Sequence, residues 1–435
     1  MKDSAVEAVA AYALDALLKA GADKAACRAT RGRKDEFNAE ANQFSLLRTL
    51  FSDQLSLKAI RGGRKGVAIV NKLDRDSVDR AVADCMALAA SAMPDEAEDI
   101  AEMGENRAFD QGIGGADMAA LFARAKEFIG QLRDEFPKIA LESMTAEFSG
   151  SETAYANSKG AAFRASAEHY GVGSMFSARD GEKSSSFNYW GSSVAALDAP
   201  FIDLGMQRTL LEESVRSLDA RALEGKFVGR VIVTPACDDM IWQTLIDCFL
   251  SDRPMIEGTS RWKDALGRRV ADPKLTMRAA PLHPLMVASE RFTHDGYESR
   301  DIDLIRDGTL ASFALSLYGA NKTGRPRAGN TAFRNIEVAA GDAPLAEMIK
   351  GVDRGILLNR FSGAAPGPGG DISGVAKNSF LIENGQVADA LKETMVSFNL
   401  LDALENIRAI SSERCANGMG VLPWCCIDGV TISGK

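Results

Sequence analysis

The pattern that most restricts how this chain can fold is a helix followed by long alternating stretches, met twice within the first 200 residues. Residues 4–20 form an amphipathic helix whose apolar stretch is broken by Glu7 and Asp15. From CRATRGRKDEF to GRKGVAIVN apolar and polar residues then alternate, and Gly62–Gly63 supplies the hairpin turn that such alternation needs. Asp74, Asp76 and Ser77 give helix-entry chemistry to the next segment, which keeps Val78, Ala81, Val82, Cys85 and Met86 on one face. A second helix follows, with Leu121, Ala125, Phe128 and Leu132 in register, and then further strands with Ser- and Gly-rich turns. SARDGEKSSSFNY repeats the plan of KAIRGGRKGVAIVN: a strand, a charged Gly turn and a returning strand. This predicts an internal duplication.

A chain of 435 residues exceeds one ordinary core, so two domains are expected. The fold class read from these patterns is α+β. Residues 1–220 make an N-terminal domain of helix and antiparallel-meander units, and residues 221–435 a β-rich C-terminal domain. Residues 203–223 read as a connecting helix, FVGRVIVTPA as a buried strand leading into a helix over 237–250, and PGPGGD at 366–371 as a loop. The alternation in WCCIDGVTISGK predicts a terminal strand.

Charge and cysteine usage exclude several function classes. A net charge of -9, with no Lys/Arg run of the required length, argues against a broad nucleic-acid footprint. The acidic residues near the start exclude a signal peptide or anchor there, and no window approaches the ~20 apolar residues of a spanning helix. Seven scattered cysteines make no disulfide scaffold, and the expected location is the cytoplasm.

Catalytic signatures are scarce. The three histidines are His169, His283 and His294, and the last two fit no common zinc spacing. Each reads as a structural or surface histidine. Cys425 and Cys426 are adjacent on a strand, so they face opposite ways and cannot easily share a metal. Lys322 and Thr323 lack a phosphate loop, GPGGDISG lacks the dinucleotide spacing, and there is no nucleophile elbow. Asp238–Asp239 read as acidic residues in the first turn of a helix, where the macrodipole favours them.

Five segments in order carry a resemblance: GRVIVTPA followed by a helix, SRWKDALGRRVADPKLTM, DGTLASFALSLYGANKTGRPRAGNTAFRNIEV, the run from DRGILLNRFSG to LLDALENI, and VLPWCCIDGVTISG. From about residue 225 to the end, the chain resembles the TldD/PmbA family, once called modulators of DNA gyrase. The helix–meander units agree more loosely. The TldD kind of chain carries His-Glu-x-x-x-His on the helix after the first strand of the second domain, and a cysteine near the C-terminus completes its zinc site. Two imidazoles and a thiolate hold Zn²⁺, which acidifies a water, while the Glu accepts a proton. A step of five residues is about 140° off one α-helical face, so that helix must be distorted.

By this resemblance the motif positions fall here on Trp242, Gln243 and Asp247. Trp cannot bind zinc and Gln cannot act as a general base. Cys415 lies near the family's cysteine position, in what reads as a shortened loop, and is expected to be structural. The departure matches the TldE (PmbA) kind of chain. The resemblance therefore implies a non-catalytic subunit, with no catalytic residue, metal or cofactor of its own. It would pair with a TldD-like zinc protease to form a chamber for peptide processing and proteolysis, without nucleic-acid or membrane partners. Whether this chain counts as an enzyme turns on that partner. A homodimeric peptide- or protein-binding module is the alternative, and a metal-independent hydrolase a third reading for which no nucleophile motif is present. Candidate substrate-binding residues are Tyr318, Asn321, Lys322 and Arg325 in the Gly-punctuated loop YGANKTGR, with Asn330 nearby. The plainer reading of these five is a turn with solvated cations. Gly367, Gly369 and Gly370 are expected to relieve strain in a tight loop.

Overall fold

The computed structural model describes residues 5–104, 106–364 and 366–434; the side chains of 238–240, including those of Asp238 and Asp239, lie outside the described set. The first half runs α1 (Ala5–Lys19), β1 (Lys24–Glu40), β2 (Gln43–Arg61), β3 (Arg64–Val70), α2 (Arg75–Ser91), β4 (Arg107–Gln111), α3 (Met118–Glu135), β5 (Ile139–Asn157) and β6 (Ala162–Asp180). A return strand Asn188–Val194 and helix α4 (Gln207–Arg216) complete it. The plan of helix, two long strands, short return strand and helix thus occurs twice. The strands form one sheet in the order β3-β2-β1-β5-β6-β4, and the two copies of the plan join where β1 pairs antiparallel with β5, from Ala26↔Asn157 to Ala39↔Met144.

Strand period 2 divides this sheet into two unlike faces. On one face α1 and α2 bury Cys27, Ala29, Leu55, Leu57 and Ala59, while α3 and α4 bury Ala39, Met144, Ala146 and Phe148. The Asp74 side chain caps α2 by accepting from the Ser77 N–H at 3.0 Å. Val78, Ala81, Val82, Cys85 and Met86 are buried as the periodicity requires. Close packing of α2 on β3 depends on Gly66, where a Cβ would meet the Cys85 carbonyl oxygen at 1.9 Å. The opposite face carries small and polar residues in register: Lys34, Glu36 and Asn38 on β1, Thr145, Glu147 and Ser149 on β5, and His169, Gly171 and Gly173 on β6.

The second half docks on this polar face at both ends. At one end Phe292 stacks on Phe163 at 5.3 Å, and Glu298 accepts from Arg107 at 2.8 Å. At the other, Ser193 N–H donates to the Asn417 carbonyl at 2.8 Å, and Gly418 lies so close to the Ser193 backbone that any Cβ would collide. The second half is a mixed sheet whose central strand Lys226–Val233 pairs parallel with Arg354–Leu358 and antiparallel with the terminal strand Val421–Ser433. Successive side chains enter different cores: Val231, Val233 and Cys425 one, Ile232 and Cys426 the other. No helix among the described residues is long and apolar enough to cross a membrane.

Three local expectations are corrected. The connecting helix over 203–223 is shorter, Gln207–Arg216, with 3₁₀ turns at Phe201–Asp203 and Ser217–Asp219. The segment YGANKTGR is not a loop but the helix Leu317–Thr323, capped by the Ser316 side chain and ended by Gly324 at φ +67°. Its interior Gly319 is tolerated because a Cβ there would meet Asp252 Oδ1 at 1.9 Å. Cys415 stands in the strand Ile407–Ala416 rather than in a loop.

Candidate functional site

The expected helix over 237–250 is three pieces: a 3₁₀ segment Pro235–Met240, one α-turn Trp242–Leu245, and a π-helical segment Ile246–Leu250. The Ser251 N–H reaches back to the Ile246 carbonyl at 2.9 Å, the i→i+5 bond that widens the turn. Trp242, Ile246, Phe249 and Leu250 all insert into the core, at the spacing of an ordinary helical face. Gln243 Nε2 donates to Asp247 Oδ1 at 3.0 Å across this turn, and Trp242 is only 4% exposed.

Trp242 and Gln243 border a cavity of about 210 Å³ with Arg334, Met419 and Leu422. A second cavity of about 290 Å³, bounded by Tyr189, Cys237, Thr244 and Arg360, meets it at Asn417. A third, about 510 Å³, opens onto the polar sheet face at Lys34, Glu36, Arg48 and Glu147 and also reaches Asn417 and Met419. The three spaces share Asn417 and are taken together as the cleft, with the sheet face as floor and the distorted helix as wall. Asn417 is its hinge point: its side-chain oxygen accepts from the N–H groups of Met419 (3.0 Å) and Gly420 (2.8 Å), fixing the loop on which the cavities converge.

The floor is charged but internally paired. Lys34 Nζ lies 2.8 Å from Glu147, and Arg48 Nε lies 2.5 Å from Glu36. Burial pushes the Glu36 carboxyl up, but hydrogen bonds from Asn38 and Arg48 more than offset it and hold it below the usual range. Burial lowers the pKa of His169 between Glu147 and Lys34, which keeps the imidazole neutral near pH 7. Behind the second cavity, Arg360 is fully engaged: it donates to Asn188 Oδ1 at 3.1 Å and to the carbonyls of Ala236 and Tyr189. Nearby Glu213, buried against Asn359 Nδ2 at 2.7 Å, is pushed up to about 8 by desolvation.

The candidate binding residues go elsewhere. Tyr318 donates to Asp95 at 3.0 Å, Lys322 pairs with Asp95 at 2.8 Å, and Asn321 donates to the Ala97 carbonyl at 2.9 Å. All three tie the helix 317–323 to the loop after α2. Arg325 pairs with Asp264 at 3.1 Å over the Phe313 ring, and buried Asn330 donates to the carbonyls of Ala279 and Arg300. None of the five borders the cleft. Gly370 alone of the loop glycines has positive φ, +86°. Cys415 packs against the core beneath α3 and α4. An indole in the core, an amide and one carboxylate already bonded to that amide do not fit a zinc ion. Among the described residues no three His, Cys, Asp or Glu side chains converge on a point.

Residues 226–434 match the PmbA/TldA metallopeptidase C-terminal domain. The chain is 27% identical to a metalloprotease of Synechocystis over 160 residues and 27% identical to metalloprotease PmbA of Escherichia coli O157:H7 over 152 residues. Each match spans 34% of this chain and 34% of the relative, so the aligned part is about a third of either. The crystal structure of TldE from Thermococcus kodakarensis superimposes with a TM-score of 0.84 at 20% identity, covering 99% of this chain and 100% of that one. The likeness in fold therefore extends over both halves.

Proposed function

We propose that this chain, whose residues 226–434 match the PmbA/TldA metallopeptidase C-terminal domain and whose fold is shared over its whole length with TldE of Thermococcus kodakarensis, is a non-catalytic, TldE-like subunit of a zinc metalloprotease. The observation that carries this reading is the wall of the cleft. Its helix carries a widened turn at Ile246–Leu250, next to Trp242, Gln243 and Asp247, the residues that the family resemblance sets at the ligand and base positions. A hydrolytic metal needs several donors converging on one point with a base within reach of the bound water, and among the described residues no three His, Cys, Asp or Glu side chains make such a group.

In this reading the two domains, divided near residue 220, enclose a peptide between the polar sheet face and the distorted helix, and a TldD-like partner supplies the zinc and the proton acceptor. An unstructured peptide suits such a chamber, since extended backbone can add to a sheet edge with little demand on side-chain sequence. Tyr318, Asn321, Lys322, Arg325 and Asn330 would then support the chamber by holding loops in place rather than by touching peptide. The purified chain is expected to carry less than stoichiometric zinc and to leave an unstructured peptide intact, with cleavage appearing when a His-Glu-x-x-x-His relative is added. One zinc per chain by metal analysis, or hydrolysis by the chain alone, refutes the proposal. A homodimeric peptide- or protein-binding module is the second reading, favoured by the stretch of β2 before Leu55, which β3 leaves uncovered and where Leu46, Leu47, Leu50 and Phe51 are exposed.

A further inference from the structure

The cavity bordered by Trp242 and Gln243 is rich in hydrogen-bond donors that hold nothing. Trp242 is 4% exposed, and an indole N–H at such depth ordinarily finds a partner. Among the described residues it has none, yet its nitrogen is not sealed in the core, so it opens onto the space that Trp242 borders. Arg334 stands exposed at the rim of the same cavity, and its guanidinium makes no ion pair or hydrogen bond among the described residues. The Asn417 side-chain oxygen is taken by Met419 and Gly420, whereas its NH₂ group donates to no described atom. No Asp or Glu borders the cavity. Asp247, one turn on, is bonded to Gln243 Nε2, which leaves Gln243 Oε1 as an acceptor.

Three donors without acceptors, one of them cationic, select an anion, and the planar guanidinium fork matches a carboxylate. The remaining border is apolar, made by Ile336, Met419 and Leu422, and a volume of about 210 Å³ leaves room for a side chain beside the carboxylate. We propose that this cavity captures the C-terminal residue of a peptide, its carboxylate on Arg334 and the N–H groups of Trp242 and Asn417, its apolar side chain against Ile336, Met419 and Leu422. Gln243 Oε1 then accepts the amide N–H of that last residue. The assignment rests on the reading of the space between the domains as a peptide chamber, and adds which end of the peptide this chain holds. An internal Asp or Glu offers the same carboxylate but no apolar group beyond its stem, so the apolar border favours a chain terminus.

Isothermal titration calorimetry of the full chain tests this with three peptides: acetyl-Ala-Ala-Ala-Leu as the free acid, the same peptide as its C-terminal amide, and acetyl-Ala-Glu-Ala-Leu amide. The free acid is expected to bind, and both amides at least about tenfold more weakly, the cost of one charge-assisted contact. Arg334→Gln is expected to bring the free acid down to the level of its amide. Trp242→Phe, which keeps a ring in the core, is expected to weaken it roughly threefold to tenfold, as loss of one neutral hydrogen bond does. In the parent chain the Trp242 indole proton shifts downfield in the NMR spectrum as the free acid is added, and Trp242→Phe identifies that signal by losing it. Equal binding of acid and amide, no saturable binding of the acid, or full affinity in Arg334→Gln overturns the proposal. Tight binding of the glutamyl amide moves the site to acidic side chains, and displacement by acetate or phosphate at the peptide's own concentration makes it a general anion site; either result overturns it too. Binding is read without zinc and without a partner, so its failure leaves the zinc and co-activation result of the proposed function standing, and the two are separable.

Discussion

At the scale of single residues, identity decides the chemistry and surroundings decide the charge. Glu213 binds a proton in the folded chain up to about pH 8, whereas its ordinary value is 4.5. Between those values the folded state holds a proton that the unfolded chain releases, so stability falls as pH rises through this window, by on the order of a few kcal/mol. Glu213→Gln keeps an acceptor for Asn359 and is expected to flatten the loss, read as melting temperature from about pH 5 to 8. That no histidine lies between His169 and His283 was legible in the sequence, without coordinates. Asn417, Met419 and Arg334 were not, since nothing in their local pattern differs from an ordinary hairpin or turn. Tyr318, Asn321 and Lys322 drew attention through their glycine-rich setting, but their partners Asp95 and Ala97 lie more than two hundred positions away in sequence.

Elements show where local signals suffice and where tertiary contact overrides them. The long strands and α1 to α3 follow from period 2, period 3.6 and caps such as Asp74 and Asp117. The helix 317–323 was hidden because Gly319 reads as a breaker, and only the approach of Asp252 explains it. Likewise the π segment leaves no sequence mark, since Ile246, Phe249 and Leu250 have the spacing of an ordinary α-helical face. Gly66→Ala is expected to cost about 1–3 kcal/mol, because the added methyl overlaps backbone of α2 rather than a movable side chain. Urea denaturation followed by circular dichroism measures this, and Gly62→Ala, in open space, isolates the turn's own backbone strain for comparison.

Across the whole molecule, the two halves are held by a few polar anchors as well as by aromatic packing. Asp95 receives Lys322, the Ala97 N–H and Tyr318, which hold its carboxyl down to about 2. Its folded value lies below its ordinary one, so the anchor's contribution is present above about pH 4 and is lost as pH falls toward 2. Hydrogen exchange at residues 94–99 and 317–323 is expected to rise together in that window, and Asp95→Asn is expected to raise it already at neutral pH. Added salt weakens the same exposed pair.

The join between β1 and β5 carries a consequence for how the chain comes into being. A ribosome releases β1 long before Asn157 exists to pair with Ala26, so the middle strand of the future sheet waits with one side bare while more than a hundred residues are made. Such distant pairing is slow, and during the delay the apolar ribbon at Leu46–Phe51 is open to any neighbour, including another nascent copy. Slower synthesis or more chaperone is therefore expected to change how much of this protein reaches its native form, read as the soluble fraction on expression.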